Sequence, residues 1–202
     1  MTERSGYLHL RADATDLSDD HAAARAEFAA TRSLLCADAV AAPIMAGVIR
    51  LLARSGFVSD TVERLGHREI EAPETAGTAI RLLLDRRPLF RWLEAVTGCG
   101  PIATIAGRVV QTHPQPGDEL VWHDDTGAEV RRLGVTIALD SPHYTGGEFE
   151  MRRVGETRLL RRHRHDRAGT ALIFEVAPEL EHRVLPLVGG GPRRVFTGWF
   201  IG

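Results

Sequence analysis

The residues best placed to do chemistry lie in Val121-Trp122-His123-Asp124-Asp125, where an imidazole and a carboxylate stand two positions apart. In extended backbone, residues i and i+2 project from one face, so His123 and Asp125 can aim at a common point. Asp124 then points the other way, which makes Asp125 the preferred carboxylate. Two donors are too few to hold a metal, and a third stands fifty-nine positions beyond His123, in Glu181-His182-Arg183-Val184. Two imidazoles and one carboxylate leave the remaining metal positions open, a donor set suited to Fe(II) and oxygen chemistry. The expected metal ligands, and with them the catalytic centre, are His123, Asp125 and His182.

A centre of this kind needs a scaffold, and 202 residues are enough to bury a sizeable core. Apolar residues at 44% and charged residues at 26% are ordinary for a soluble globular protein. A formal net charge of −2 argues for neither a nucleic acid nor a membrane surface as partner. Cys36 and Cys99 make neither a disulfide framework nor a zinc spacing, and read as small buried hydrophobes. The first residues are polar rather than a signal core, and the apolar run from Ala39 stops at Arg50, too short to span a bilayer. The expectation is a cytoplasmic protein acting on a small molecule, with its oligomeric state open.

The elements follow from spacing. Ser18-Asp19-Asp20 can cap a helix through Ala22-Ala23-Ala24, while Phe28 to Leu35 reads equally well as a strand. Asp38 is the expected cap of a helix carrying Ile44, Val48 and Leu51/Leu52, with Gly56 as its stop. Residues 57–77 show weak periodicity and read as loop and short strand. A helical region spans Thr78 to Thr97, split at Pro88 and ended by Gly98. From Pro101 the texture becomes short strands between turns, with Leu133, Val135, Ile137 and Leu139 alternating at period two. His163-Arg164-His165-Asp166 sits within an Arg-rich run and reads as a solvated loop, since repelling cations make a poor metal site. Helices first and a double-sheet β core second is an α+β arrangement, a sandwich or barrel rather than a parallel sheet.

Several pieces together resemble the 2-oxoglutarate and Fe(II)-dependent oxygenases, closest to their prolyl 4-hydroxylase-like branch. They are Gly117-Asp118-Glu119-Leu120 leading into His123-Asp124-Asp125, then Tyr144-Thr145-Gly146-Gly147-Glu148-Phe149, Gly169 to Phe174, and His182 to Leu187, with Arg193 and Trp199 behind. The resemblance covers about residues 101–202. It implies N-terminal helices packed on a double-stranded β-helix (jelly-roll) core. One oxygenase domain would fill 1–202, with about 1–100 as helical support and about 101–202 as catalytic core.

The resemblance also implies Fe(II) as metal, with 2-oxoglutarate and O2 as co-substrates. A planar guanidinium suits the far carboxylate of 2-oxoglutarate. Counting back by twos from Trp199 gives Thr197, Val195 and Arg193, so Arg193 is preferred, and one bulge would hand the role to Arg194. Thr197 and Thr112 are the accompanying co-substrate residues. The Tyr that this branch often carries before its H-x-D is absent from Val109-Val110-Gln111-Thr112-His113, and Gln111 or Thr112 is expected in its place. The reaction implied is hydroxylation, or another oxidation, of an unactivated C–H bond, with release of succinate and CO2. The competing readings are a peptidyl hydroxylase of the prolyl hydroxylase type and a non-catalytic jelly-roll metal-binding module.

Overall fold

The computed structural model describes residues 6–62, 66–115, 120–127, 129–140, 143–165 and 167–202. The chain begins with a small hairpin of β1 (Leu8–Leu10) and β2 (Thr15–Leu17), followed by α1 (His21–Thr31) and β3 (Ser33–Cys36). Both readings of this region are realised in succession. Asp20 caps α1 by accepting from the Ala23 amide at 2.9 Å, and Arg32 at φ 53° turns the chain out of the helix into β3.

The next helix, α2 (Ala42–Leu52), starts later than expected. Asp38 is not its cap but sits in the left-handed region at φ 49°. Pro43 occupies the first turn, where a missing N–H costs nothing. Gly56, expected as the stop, instead opens β4 (Gly56–Val62), which pairs with β5 (Gly66–Ala72). This hairpin escaped the period-two test because it lies at a sheet edge and is mostly half-exposed, so polar residues sit on both its faces.

Two helices come next, α3 (Ala76–Leu84) and α4 (Arg87–Thr97). Glu71 of β5 caps α3 from outside, its two carboxylate oxygens accepting from the Ala76 and Gly77 amides at 2.9 Å each. Pro88 starts α4 and Gly98, at φ 70°, ends it, as the sequence predicts.

The strands that follow are β6 (Thr104–Thr112), β7 (Leu120–His123), β8 (Arg131–Ala138), β9 (Tyr144–Gly146) and β10 (Phe149–Arg153). The chain is completed by β11 (Leu159–His163), β12 (Ala171–Glu175), β13 (Leu180–Val184), β14 (Leu187–Gly190) and β15 (Arg193–Ile201). A major sheet has the order β3-β12-β8-β15-β6-β5-β4, a minor sheet the order β11-β10-β13-β7, and β14 pairs with β9. These pairings are antiparallel. Together they make the expected jelly-roll core with helical support. The first hundred residues are not helical only, since β3, β4 and β5 belong to the major sheet.

Strand alternation assigns the faces. On β8, Leu133, Val135 and Ile137 are fully buried with Phe196 and Phe200 of β15 against the helices, where Ile80, Leu84, Leu89, Phe90 and Leu93 meet them. The other face of the major sheet looks toward the minor sheet. There a second cluster of Phe149, Met151, Leu172, Phe174 and Leu180 closes one end of the space between them.

The Arg-rich run is not a solvated loop throughout. Residues 159–163 form β11, where Arg161 is tied to Glu27 and Thr31 of α1 and to Ser33 of β3. Asp166 lies outside the described residues, as do Gly117, Asp118 and Glu119. Cys36 is fully buried and Cys99 half-buried, and both are free. No helix among the described residues is long and apolar enough to cross a membrane.

Candidate active site

Between the sheets lies a pocket, partly open to solvent. The minor-sheet side provides Leu120, His123, Asp125, Phe149, His182 and Val184. The major sheet provides every second residue of β15 (Arg193, Val195, Thr197 and Trp199), together with Val110 and Thr112 of β6 and Thr136 of β8. The pairs Arg193↔Thr112 and Thr197↔Thr136 place these side chains in one patch by register.

At the metal end, His123 and His182 face each other across the β7–β13 pair. Their ring centroids lie 4.2 Å apart. The donor atoms of His123, Asp125 and His182 all fall within 4.8 Å of one another. The route to this cluster differs from simple alternation, because β7 ends at His123 and Asp125 sits beyond it at φ 60°. A left-handed turn, which Asp tolerates better than most residues, brings the carboxylate back to the imidazole. Two donors hold it there, with Trp199 Nε1 giving to Oδ2 at 2.9 Å and Arg131 Nη1 giving to the backbone carbonyl at 2.9 Å. Asp124 spends its carboxylate on the turn itself, accepting from the Thr126 amide at 2.9 Å and hydroxyl at 2.8 Å.

Protonation suits a metal. His123 Nδ1 donates to the Val121 carbonyl at 2.7 Å, which fixes the tautomer and leaves the Nε2 lone pair free for the site. Burial, and then the neighbouring His182, push the His123 imidazole below its usual range. Burial works to raise the Asp125 carboxyl, but the hydrogen bond and charge of His182, with help from His123 and Trp199, bring it down to about 2. At neutral pH the Asp125 carboxyl is ionised and the His123 imidazole neutral, the forms in which each binds metal. His182 is packed against Phe149, Phe174 and His123 rather than solvent.

At the other end, Arg193 is 6% exposed. Among the described residues it forms no ion pair, and its Nε has no hydrogen-bond partner. Burial lowers its pKa, opposed by Tyr144, whose hydroxyl hydrogen-bonds the guanidinium. Arg194 points to the other face of β15, donating to Gln111 Oε1 at 2.6 Å with its guanidinium 5.7 Å from the Phe57 ring. No bulge intervenes, since β15 pairs with β6 in continuous register from Arg193 to Ile201. Gln111, one of the two residues expected to replace the missing Tyr, faces away with Arg194 and donates to Glu69 at 2.6 Å. Thr112, the other, lines the pocket.

Three residues here were missed from sequence. Tyr144 is buried and reaches Arg193 from β9, on a strand too short to show periodicity. Gly147 makes room for it: at φ 71°, an added Cβ would lie 3.1 Å from Arg193 Cδ and 2.7 Å from Leu187 Cδ2. Thr136 was overlooked as the polar member of an apolar strand. His165, placed in a solvated loop by its basic neighbours, is instead 4% exposed with Nε2 3.4 Å from Thr136 Oγ1. Its ring stacks edge-on to His163 at 5.0 Å. Burial holds it neutral, well below the usual histidine range.

The residues therefore fit a metal at one end and a small dicarboxylate at the other. The three donors leave open positions, and among the described residues the buried guanidinium forms no ion pair.

Residues 108–201 match the model of the 2OG-Fe(II) oxygenase superfamily. Solved structures of similar fold include a Pseudomonas putida prolyl-4-hydroxylase, 19% identical with TM-score 0.65, covering 90% of this chain and 98% of that one. A Trichoplax adhaerens prolyl hydroxylase in complex with a hypoxia inducible factor peptide fragment is 14% identical with TM-score 0.69, covering 90% and 88%. The alpha ketoglutarate dependent epimerase SnoN from nogalamycin biosynthesis is 17% identical with TM-score 0.63, covering 89% and 81%. No curated protein matches the chain. The fold likeness and the family match meet on the same strands, and residues 108–201 carry a domain similar to the 2OG-Fe(II) oxygenases, a family that uses Fe(II), 2-oxoglutarate and O2.

Proposed function

We propose that this oxygenase hydroxylates, or otherwise oxidises, an unactivated C–H bond of a small molecule such as an amino acid or natural-product intermediate. In this reading His123, Asp125 and His182 hold the metal, and Arg193 with Thr112 and Thr197 holds the co-substrate. The observation that carries it is a metal-binding cluster and a buried, ion-pair-free guanidinium facing each other across one pocket. Fe(II), 2-oxoglutarate and O2 together supply the oxidising power, the co-substrate leaving as succinate and CO2. The protein's residues then do the positioning. Arg193 takes the far carboxylate in a site where Tyr144 restrains the guanidinium and burial strengthens the contact. Trp199 and Arg131 keep the Asp125 carboxylate turned to the imidazoles. Val110, Val195, Phe149 and Phe174 keep water from the walls.

The site and the N-terminal strands share one sheet, so residues 1–202 are read as one working domain. The absence of a disulfide agrees with a reducing cytoplasm. A peptide is the second reading, favoured by the bound peptide of the Trichoplax relative and by β4, which leaves one edge of the major sheet open. The test is succinate release by the Fe(II)-loaded enzyme across amino acids, small metabolites and peptides. Stimulation by a small molecule is expected, and a response to peptides alone would reject the reading.

A further inference from the structure

One cation faces the pocket that neither the metal nor the co-substrate uses. Arg68 lies on β5, two residues from Ile70, whose ladder partner Val110 is in the pocket wall. Alternation puts Arg68 on that same inner face, and its side chain lines the pocket. Its Nε donates to Asp60 Oδ2 at 2.8 Å, directly across the β4–β5 hairpin. Among the described residues it has no other hydrogen-bond or ion-pair partner, so its Nη groups are uncommitted there. The side chain is only 16% exposed, against 51% for Arg11, which pairs with Asp16 at the surface.

Charge explains why this position matters. Among the described residues, Asp125 and Arg193 are the other two formally charged residues of the pocket wall. Together with Fe(II) and the 2-oxoglutarate dianion they cancel, and Arg68 remains. If its role were only to tie the hairpin, a pair pointing outward to solvent would serve as well. Here Asp60 holds the guanidinium at Nε, and the side chain lines the pocket. A single planar fork, part-neutralised by Asp60, matches a carboxylate better than a phosphate dianion.

Resting on the small-molecule reading above, we propose that the prime substrate carries a carboxylate and that Arg68 binds it. Arg68 is thus a specificity-determining residue, presented to the pocket by the edge hairpin. The hairpin supplies the substrate's anchor, while the rigid centre of the sheet supplies that of the co-substrate.

The experiment uses full-length enzyme loaded with Fe(II) and 2-oxoglutarate. Amino acids, N-acetyl amino acids and aliphatic acids serve as probes, each beside its primary amide, with succinate release and product mass as readouts. An acid should be turned over with kcat/KM at least about tenfold above that of its amide, the scale of one charge-assisted contact. Arg68→Gln should raise the KM for that acid by about tenfold or more and erase the preference over the amide, and Arg68→Lys should restore part of it. Anaerobic titration should give 2-oxoglutarate affinity within about twofold of wild type in both variants, which separates Arg68 from the co-substrate site. Thermal unfolding of the variants identifies any that fail to fold, and Arg68→Lys then carries the comparison. Equal use of acid and amide overturns the proposal, as do silence from every acid and a tenfold loss of 2-oxoglutarate affinity in Arg68→Gln. Turnover of a neutral small molecule overturns this inference alone, whereas turnover of peptides only overturns the small-molecule reading with it.

Discussion

The two sheets that enclose the pocket are built differently and contribute different chemistry. The major sheet is covered on its outer face by the helices, so β8, β12 and β15 are buried on both sides. It carries Arg193, Thr112 and Thr197, the residues proposed to hold the co-substrate. The minor sheet has four strands, and its outer face is polar. Trp122 lies there with the Arg152 and Arg183 guanidinium groups 3.9 and 4.5 Å from its ring, and these arginines pair with Glu181 and Glu150 at 2.7 Å each. Both histidines come from this thinner sheet, and Asp125 from the turn that leaves it. The metal cluster therefore relies on directed hydrogen bonds reaching over from the major sheet, through Trp199 and Arg131. The carboxylate site relies on packing, which fixes a buried guanidinium without an ion pair.

That contrast can be broken at several points. The largest effect is expected in the turn. Asp125→Ala should abolish tight Fe(II) binding and reduce succinate release to background, while Asp124→Ala should keep Fe(II) and cost about 1 kcal/mol of stability, as for a lost side-chain cap. Equal losses of iron from both variants would mean that the turn, and not the Asp125 carboxylate, makes the site.

Next is the core beneath the carboxylate site. Phe196→Ala, at a fully buried position against the helices, should cost about 3–5 kcal/mol in chemical denaturation. Trp122→Ala on the polar face of the minor sheet should cost about 1–2 kcal/mol, from cation–π contacts and partial burial. Similar values for the two would contradict the asymmetry of the sheets.

Arg193→Ala should weaken 2-oxoglutarate binding by about 2–4 kcal/mol, roughly thirtyfold to a thousandfold, read by anaerobic titration with iron saturating. Arg194→Ala should change it only about twofold to threefold, since its partners Gln111 and Asp140 lie on the other face.

The smallest expected effect concerns the edge hairpin. Glu71→Gln should cost about 1–3 kcal/mol, the carboxylate being buried and capping α3. Burial alone would raise the Glu71 carboxyl, but the hydrogen bonds from Ser55, Gly77, Ala76 and Thr75 outweigh it and hold it below its ordinary value of 4.5. A depressed carboxyl stabilises fully above the unfolded value and loses that contribution as pH falls through the folded one. The gap between wild type and Glu71→Gln should thus be constant near neutrality and close below about pH 4.5. A gap that widens in acid would reverse the sign of the argument.

How much of this was readable in one dimension differs by region. Leu133, Val135 and Ile137 alternate because each lies under the helices, and Arg193 to Trp199 alternate because each lies over the pocket. A period of two survives wherever the two faces of a strand meet different surroundings. It fails in the β4–β5 hairpin, whose faces are both half-wet, and there Arg68 and Glu71 drew no notice. The Arg-rich run misled for another reason. Arg161 looks like one repelling cation among several until Glu27, over 130 residues away in sequence, is folded against it.

The sequence by itself determined the donor types, their order along the chain and the faces of the regular strands, because these depend on residue identity and on the two-residue repeat of extended backbone. Only the tertiary structure decided how Asp125 turns back to the imidazoles, that Tyr144 is the residue reaching Arg193, and that an edge hairpin brings Arg68 to the same pocket. Those facts depend on which strands become neighbours. Long-range pairing is chosen by the packing of the whole chain, and no local pattern records it.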